Sequence, residues 1–254
     1  MHADLPLARR IEAAEAANAR GCNVPGGITL EIGGGLAVFS GAESPLTHAV
    51  GIGLQGPVSA GQIDQIEQFF RSRGARTTID LCPLADPSVT EMLGERGYGP
   101  IEFNNVLVKP LNSFSAVPTP RARRALQTES ELWSLTVGQG FFEQAELTNE
   151  EMDVGRAIFS MPGSLCYLVG EEGQTAGGAA MTIQSGLATL FADSIVTRYR
   201  RHGLHQELIA ARLADAQARG CDLATASTAP GSTSQRNFER LGFQVVYTKV
   251  MLVQ

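Results

Sequence analysis

The chain has 254 residues, enough for one large domain or two of ordinary size. Its formal charge of −6, from 26 acidic and 20 basic side chains, excludes a general nucleic-acid binder, because neutralising phosphate needs a basic face. No run of about 18 apolar residues occurs and the charged N-terminus lacks a signal-peptide core, so the expectation is a soluble cytoplasmic protein with no membrane partner.

Residues 5–20 place Leu7, Ile11, Ala14 and Ala17 at helical spacing, and Gly21 would end that helix. The glycine-rich segment from Asn23 to Gly41 holds two short apolar runs, Ile28–Ile32 and Leu36–Phe39, which predict a hairpin. Gly51-Ile-Gly-Leu-Gln-Gly56 matches the dinucleotide pattern GxGxxG, with Asp80 24 residues further on, and read alone would suggest a nicotinamide site. The three prolines of Lys109 to Pro120 mark a linker, which separates an N-terminal domain (1–112) from a C-terminal one (121–254).

The second half reads as a strand (121–127), helices over 129–142 and 149–159, and three strands ending at Val196. A helix from Leu204 to Arg219 follows, then a strand (222–227), a helix (231–241) and a last strand (243–253). Four cysteines, Cys22, Cys82, Cys166 and Cys221, stand far apart without zinc-site spacing and predict reduced, buried thiols. The histidines are His2, His48, His202 and His205; two of them sit at the start of the Leu204 helix, which leaves little material for a triad or a His-based metal site, and for His202 and His205, three apart, a loop role is preferred and no metal is expected.

Two stretches answer each other. Arg73-Gly leads into a strand and Pro83, then Gly97-Tyr98; Arg219-Gly leads into a strand and Pro230, then Gly242-Phe243. The Arg-Gly pairs lie 146 residues apart and the Gly-aromatic pairs 145 apart, which points to an internal duplication. That offset sets Val50 against Val196, Gln55 against Arg201 and Pro57 against Gly203. The GxGxxG segment is therefore read as a degenerate counterpart of the stretch from Val196 to Leu208, without its arginines and with a proline that has no N–H to donate.

That stretch runs from a strand through arginines and Gly203 into an amphipathic helix. Free amides and the helix dipole make such a start an anion cradle, and glycine admits a ligand close to the backbone.

The second half, over residues 121–254, resembles the GCN5-related N-acetyltransferase (GNAT) superfamily. Arg200-Arg-His-Gly-Leu-His205 stands against the family's Gln/Arg-x-x-Gly-x-Gly/Ala loop, and Ser234 to Phe243 against its later helix ending in Gly-Phe. The whole chain resembles tandem GNAT proteins with one working half. The implied fold class is α/β (α+β), two tandem domains, each a mixed, mostly antiparallel twisted sheet flanked by helices.

The resemblance implies that the amides of Arg201, His202, Gly203, Leu204 and His205 hold a CoA pyrophosphate, with arginine side chains, Arg200 included, adding charge. It implies that strand 187–196 splays from strand 222–227, that Ile195 and Val196 pair with the pantetheine arm, and that an amide between Asp193 and Ile195 faces the thioester. Ser234, Asn237 and Phe238 of the later helix complete the implied acetyl-CoA site. Asp193 is the first choice as base, with Glu143 and Glu146 as further candidates for the acceptor side. The family's later helix often carries a tyrosine acid where this chain has Phe238, so either the thiolate leaves without a positioned acid, or Ser234 or Tyr247 substitutes, or the protein is a weak enzyme. His205 departs from the small residue expected, so its side chain must either contact the pyrophosphate or turn away.

The expected activity is acyl transfer from acetyl-CoA directly to an amine of a small molecule or peptide. A non-catalytic acyl-CoA-binding regulatory or structural protein is the alternative. A homodimer is compatible with the sequence.

Overall fold

Asp4 begins α1 (Leu5–Gly21) by accepting a hydrogen bond from the Leu7 amide, and Ala8, Ile11 and Ala14 bury its apolar face. This computed structural model describes residues 3–22, 24–112 and 114–254. Met1, His2, Asn23 and Ser113, which bear on the domain start, the glycine-rich segment and the linker, lie outside the described residues.

The chain continues through the hairpin β1 (Ile28–Ile32) and β2 (Gly35–Phe39), β3 (His48–Val50), α2 (Ala60–Arg71), β4 (Thr78–Leu81), α3 (Pro87–Glu95) and β5 (Gly99–Pro110). After the linker come β6 (Ala122–Arg124), α4 (Ser130–Phe142), α5 (Asn149–Ser160), β7 (Leu165–Glu171), β8 (Gln174–Gln184) and β9 (Leu187–Ile195). α6 (Leu204–Ala218), β10 (Leu223–Thr228), α7 (Thr233–Arg240) and β11 (Gln244–Val253) complete it.

Two compact units form, and they do not follow chain order. The first takes residues up to Val106 together with Thr228–Pro230 and Val245–Gln254; the second takes Leu107–Ser227 and Gly231–Gln244. The last strand, assigned from sequence to the 121–254 half, is thus built into the first unit. There β11 pairs antiparallel with β4, from Val250↔Leu81 to Val253↔Thr78.

In the first unit β1, β2 and β3 are antiparallel neighbours and β3 pairs parallel with β4. In the second unit β6 to β9 are successive antiparallel neighbours and β9 pairs parallel with β10. Both units therefore end an antiparallel run on one parallel pair, the pattern that the internal repeat predicts. Alternation along β7 separates the two faces of the second sheet. Tyr167 and Val169 pack with Leu208, Ile209 and Leu213 of α6, whereas Cys166 and Leu168 pack with Trp133 of α4 and Phe159 of α5.

The four cysteines are buried and form no disulfide, and burial pushes the thiols of Cys22 and Cys166 up to about 11. Among the described residues no helix is long and apolar enough to cross a membrane.

Candidate functional site

The centre of the second unit is a break in the β8–β9 ladder. Gly178 pairs with Ser194 but Ala180 pairs with Phe191, so Ala192 and Asp193 together oppose Ala179. Ala192 adopts φ 55°, the left-handed conformation of a bulged residue, and such a bulge re-aims the side chains beside it. Trp133 supports the bulge: its indole N–H lies 3.1 Å from the Tyr167 carbonyl and 3.3 Å from that of Ala179. On the other side of β9 the parallel pairing with β10 stops at Ala226↔Leu190, while β9 runs on to Ile195. The two strands part at that point, as the resemblance implied.

Beyond β9 the chain turns through Thr197–Tyr199 and enters α6. The Val196 amide donates to the Ala176 carbonyl at 2.9 Å and its carbonyl accepts from the Tyr199 amide at 2.8 Å. The Ile195 carbonyl accepts from Arg200 Nε at 3.1 Å. The expected main-chain pairing of Val196 with a pantetheine arm is therefore corrected, because its amide is already donated to β8.

Arg200 is also reassigned. Its guanidinium donates to the Gly140 carbonyl at 2.8 Å and to Glu143 Oε1 at 2.6 Å, which ties the C-terminus of α4 to the end of β9. Arg201, by contrast, is exposed and holds φ 70°. Glu143, an acceptor-side candidate, is the Arg200 partner.

Gly203 occupies the N-cap of α6 with φ 79°, a conformation that costs residues with a Cβ about 1–2 kcal/mol. No side chain caps this helix or α4, whereas Asp4, Ser59, Asp86, Thr148 and Ser232 cap α1, α2, α3, α5 and α7. The start of α6 thus presents amides and a positive dipole end to whatever lies before it. Arg121, at the head of β6, lies beside it, paired with two carboxylates. It bonds Glu207 Oε1 at 2.7 Å, Glu171 Oε2 at 2.6 Å and the His202 carbonyl at 3.0 Å. His202 itself is exposed, and Leu204 is buried in the core so that only its backbone can serve a ligand.

His205 turns away from the cradle. Its Nε2 lies 2.9 Å from Asp193 Oδ1 and its Nδ1 lies 3.0 Å from Asn237 Nδ2, while its ring meets the edge of Phe238 at 5.6 Å between centroids. Asp193 is bonded by both terminal nitrogens of Arg212, which is completely buried. Burial by itself would raise the Asp193 pKa, but the Arg212 charge and the His205 hydrogen bond outweigh it and hold the carboxyl below its usual value. A carboxylate with both oxygens bonded and a lowered pKa is a poor proton acceptor, so the base expected of Asp193 is corrected to an anchor.

Phe238 is likewise a core residue, packed on Phe243 at 5.0 Å, rather than a lining of the cleft. Asn237 reaches the site through His205. Ser234 lies half-buried on the first turn of α7, and Tyr247 belongs to the first unit, where it donates to Glu12.

Arg212 and Trp133 were not singled out from the sequence. The available signal for Arg212 was its place one turn after Leu208, on the apolar line of α6, matched by an acid inside the strand run of β9.

The counterpart in the first unit is closed by its own side chains. Ser59 accepts from the Gln62 amide while the Gln62 side chain accepts from the Ser59 amide, and the Val58 amide donates to Ser88 Oγ. A Cβ at Gly53 would come within 2.5 Å of Val89, so Gly53 serves loop packing. β3 ends on its last pair, Val50↔Asp80, and Asp80 bonds Lys249 Nζ at 2.6 Å.

Among the described residues no group of three His, Cys, Asp or Glu side chains could hold a metal ion. Residues 129–243 match the model of the acetyltransferase (GNAT) family. A GCN5-related N-acetyltransferase from Kribbella flavida superposes with a TM-score of 0.72 at 18% identity, covering 97% of this chain and 95% of that one. A tandem GNAT protein from the clavulanic acid biosynthesis pathway gives 0.64 at 15% identity, covering 98% and 93%. A GCN5-related N-acetyltransferase from Sphaerobacter thermophilus gives 0.60 at 14%, covering 90% and 75%. No curated protein sequence matches the chain. At these identities the structural likeness is one of fold: residues 129–243 are similar to the acetyltransferase (GNAT) family, and the whole chain has the fold of a tandem GNAT protein.

Proposed function

We propose that the second unit binds acetyl-CoA and transfers its acetyl group directly to an amine of a small molecule or peptide, and that the first unit is a degenerate copy without a ligand. The observation that carries this reading is the uncapped start of α6 at Gly203, beside strands that part after Leu190 and Ala226. The amides of Arg201 to His205, with the exposed Arg201 side chain, take the pyrophosphate, and the free edge of β9 between the bulge and Ile195 receives the pantetheine arm. An amide at the bulge faces the thioester carbonyl and stabilises the oxyanion as it forms.

With Asp193 held by Arg212, the amine proton leaves to water, the amine nitrogen bonds the acetyl carbon, the C–S bond breaks and the thiolate is protonated from solvent or by Ser234. Acetyl-CoA supplies the activated acyl carbon; the protein orients it and places donors around it.

The bonded state of Asp193 and the burial of Phe238 favour a second reading, a protein that binds acyl-CoA without turnover. Calorimetric titration with acetyl-CoA, followed by release of free CoA thiol across a panel of amines, separates them. Binding with amine-dependent thiol release supports the transferase; binding without release supports the second reading; no binding rejects both.

A further inference from the structure

We propose that His205 is a positioning residue: clamped between Asp193 and Asn237, its imidazole joins the β9 bulge to α6 and α7 and so keeps the amides at the start of α6 open to an anion. This role rests on the acetyl-CoA reading above.

Polar side chains at helix starts in this protein fold back on the orphan amides, as Ser59 and Thr148 do. His205, in the first turn of α6, has no freedom to do so. Ionised Asp193 can only accept, so the proton of the ring sits on Nε2 and Nδ1 accepts from the Asn237 amide. Asn237 is oriented for this by Arg240 Nη1, which donates to its Oδ1 at 3.1 Å. Asp193 in turn is fixed by Arg212, which also donates to the Leu208 and Ala180 carbonyls at 3.0 Å each. The Phe238 edge closes the remaining side of the ring. Three elements, β9, α6 and α7, thus meet at one side chain that does not itself face the cradle.

Replacing His205 with alanine removes the join, whereas His205→Gln supplies an amide that can donate to Asp193 and accept from Asn237. Acetyl-CoA titration of both variants by calorimetry is the test. The expected result is affinity about tenfold weaker in His205→Ala, the equivalent of one lost hydrogen bond to a charged group, with His205→Gln within about threefold of wild type. In the same series KM for acetyl-CoA should rise in His205→Ala while kcat stays near wild type. A ¹⁵N spectrum of the unliganded protein should show the His205 ring as the Nε2–H tautomer.

Unchanged affinity in a folded His205→Ala overturns the role, as does equal weakening in both variants. A ring proton on Nδ1 overturns the clamp. Wild-type protein that fails to bind acetyl-CoA removes the cradle and this role together, which distinguishes that failure from one confined to His205.

Discussion

Lys249 Nζ lies 2.5 Å from Glu15 Oε2, although 234 residues separate them in sequence. The same ammonium reaches Glu12 at 3.0 Å and Asp80 at 2.6 Å, so one buried cation serves three carboxylates on α1 and β4. Burial works to lower the Lys249 pKa, and the pull of Glu15, Glu12 and Asp80 raises it well above the usual lysine value.

Lys249→Met keeps the volume of the side chain and removes its charge. The loss should be about 3–5 kcal/mol, the cost of stranding buried charge, and urea unfolding followed by circular dichroism would read it. A melt like that of the wild type would mean that the cluster is not held by this lysine.

Glu12 gives the cluster a pH dependence. Burial raises its pKa from 4.5 to about 7, with Glu15 and Asp80 adding to the rise and Lys249 opposing it. Tyr247, which donates to Glu12 at 2.9 Å, has its own pKa raised by burial and by that carboxylate. A folded pKa above the unfolded one makes stability greatest below 4.5 and lost as pH rises through about 7, as far as Glu12 alone is concerned. Glu12→Gln should therefore flatten the fall in urea midpoint between those two pH values. A wild-type slope retained in the variant would assign the dependence to another group.

Gly203→Val forces a β-branched residue into φ 79° at the mouth of the cradle. Acetyl-CoA affinity measured by calorimetry is expected to fall about tenfold or more, from a strain of roughly 1–2 kcal/mol together with crowding of the ligand. Full affinity in the folded variant would remove the amides of α6 from the binding reading.

Asp193→Asn leaves the buried Arg212 without its counter-charge, and the expected effect is a stability loss of about 3–5 kcal/mol. Acetyl transfer by the fraction that remains folded should keep the wild-type shape of its pH–rate profile. Disappearance of an acidic limb from that profile, with the melting temperature unchanged, would restore Asp193 as the base.

Much of the fold was legible because it is written in local periodicity and repetition. The 146-residue offset exposed the duplication, and it set the GxGxxG segment against the α6 entry as a counterpart loop, whose helix is capped by Ser59 and Gln62. The uncapped glycine entry to α6 was legible for the same reason, since Gly203 and the apolar positions after it are neighbours in sequence. Side-chain pairings between distant elements were not. Nothing local to Asp193 distinguishes a base from the partner of Arg212, and Arg200 looked like a phosphate ligand until the end of α4 came within its reach. The destination of β11 was also hidden: its apolar alternation fits either sheet, and the choice is made by Lys249 meeting acids more than 160 residues earlier.

The insertion of β11 between β4 and β5 has a consequence for how the protein is made. The N-terminal sheet is finished after the second unit's strands have been made, because it lacks an interior strand until residues 244–253 have been translated. At about 5–20 residues per second that interval is on the order of tens of seconds, during which β4 and β5 present unpaired backbone edges. A nascent chain of this design depends on β11 being made promptly, and stalling before it would leave the edges of β4 and β5 exposed to chaperones or to pairing with other chains.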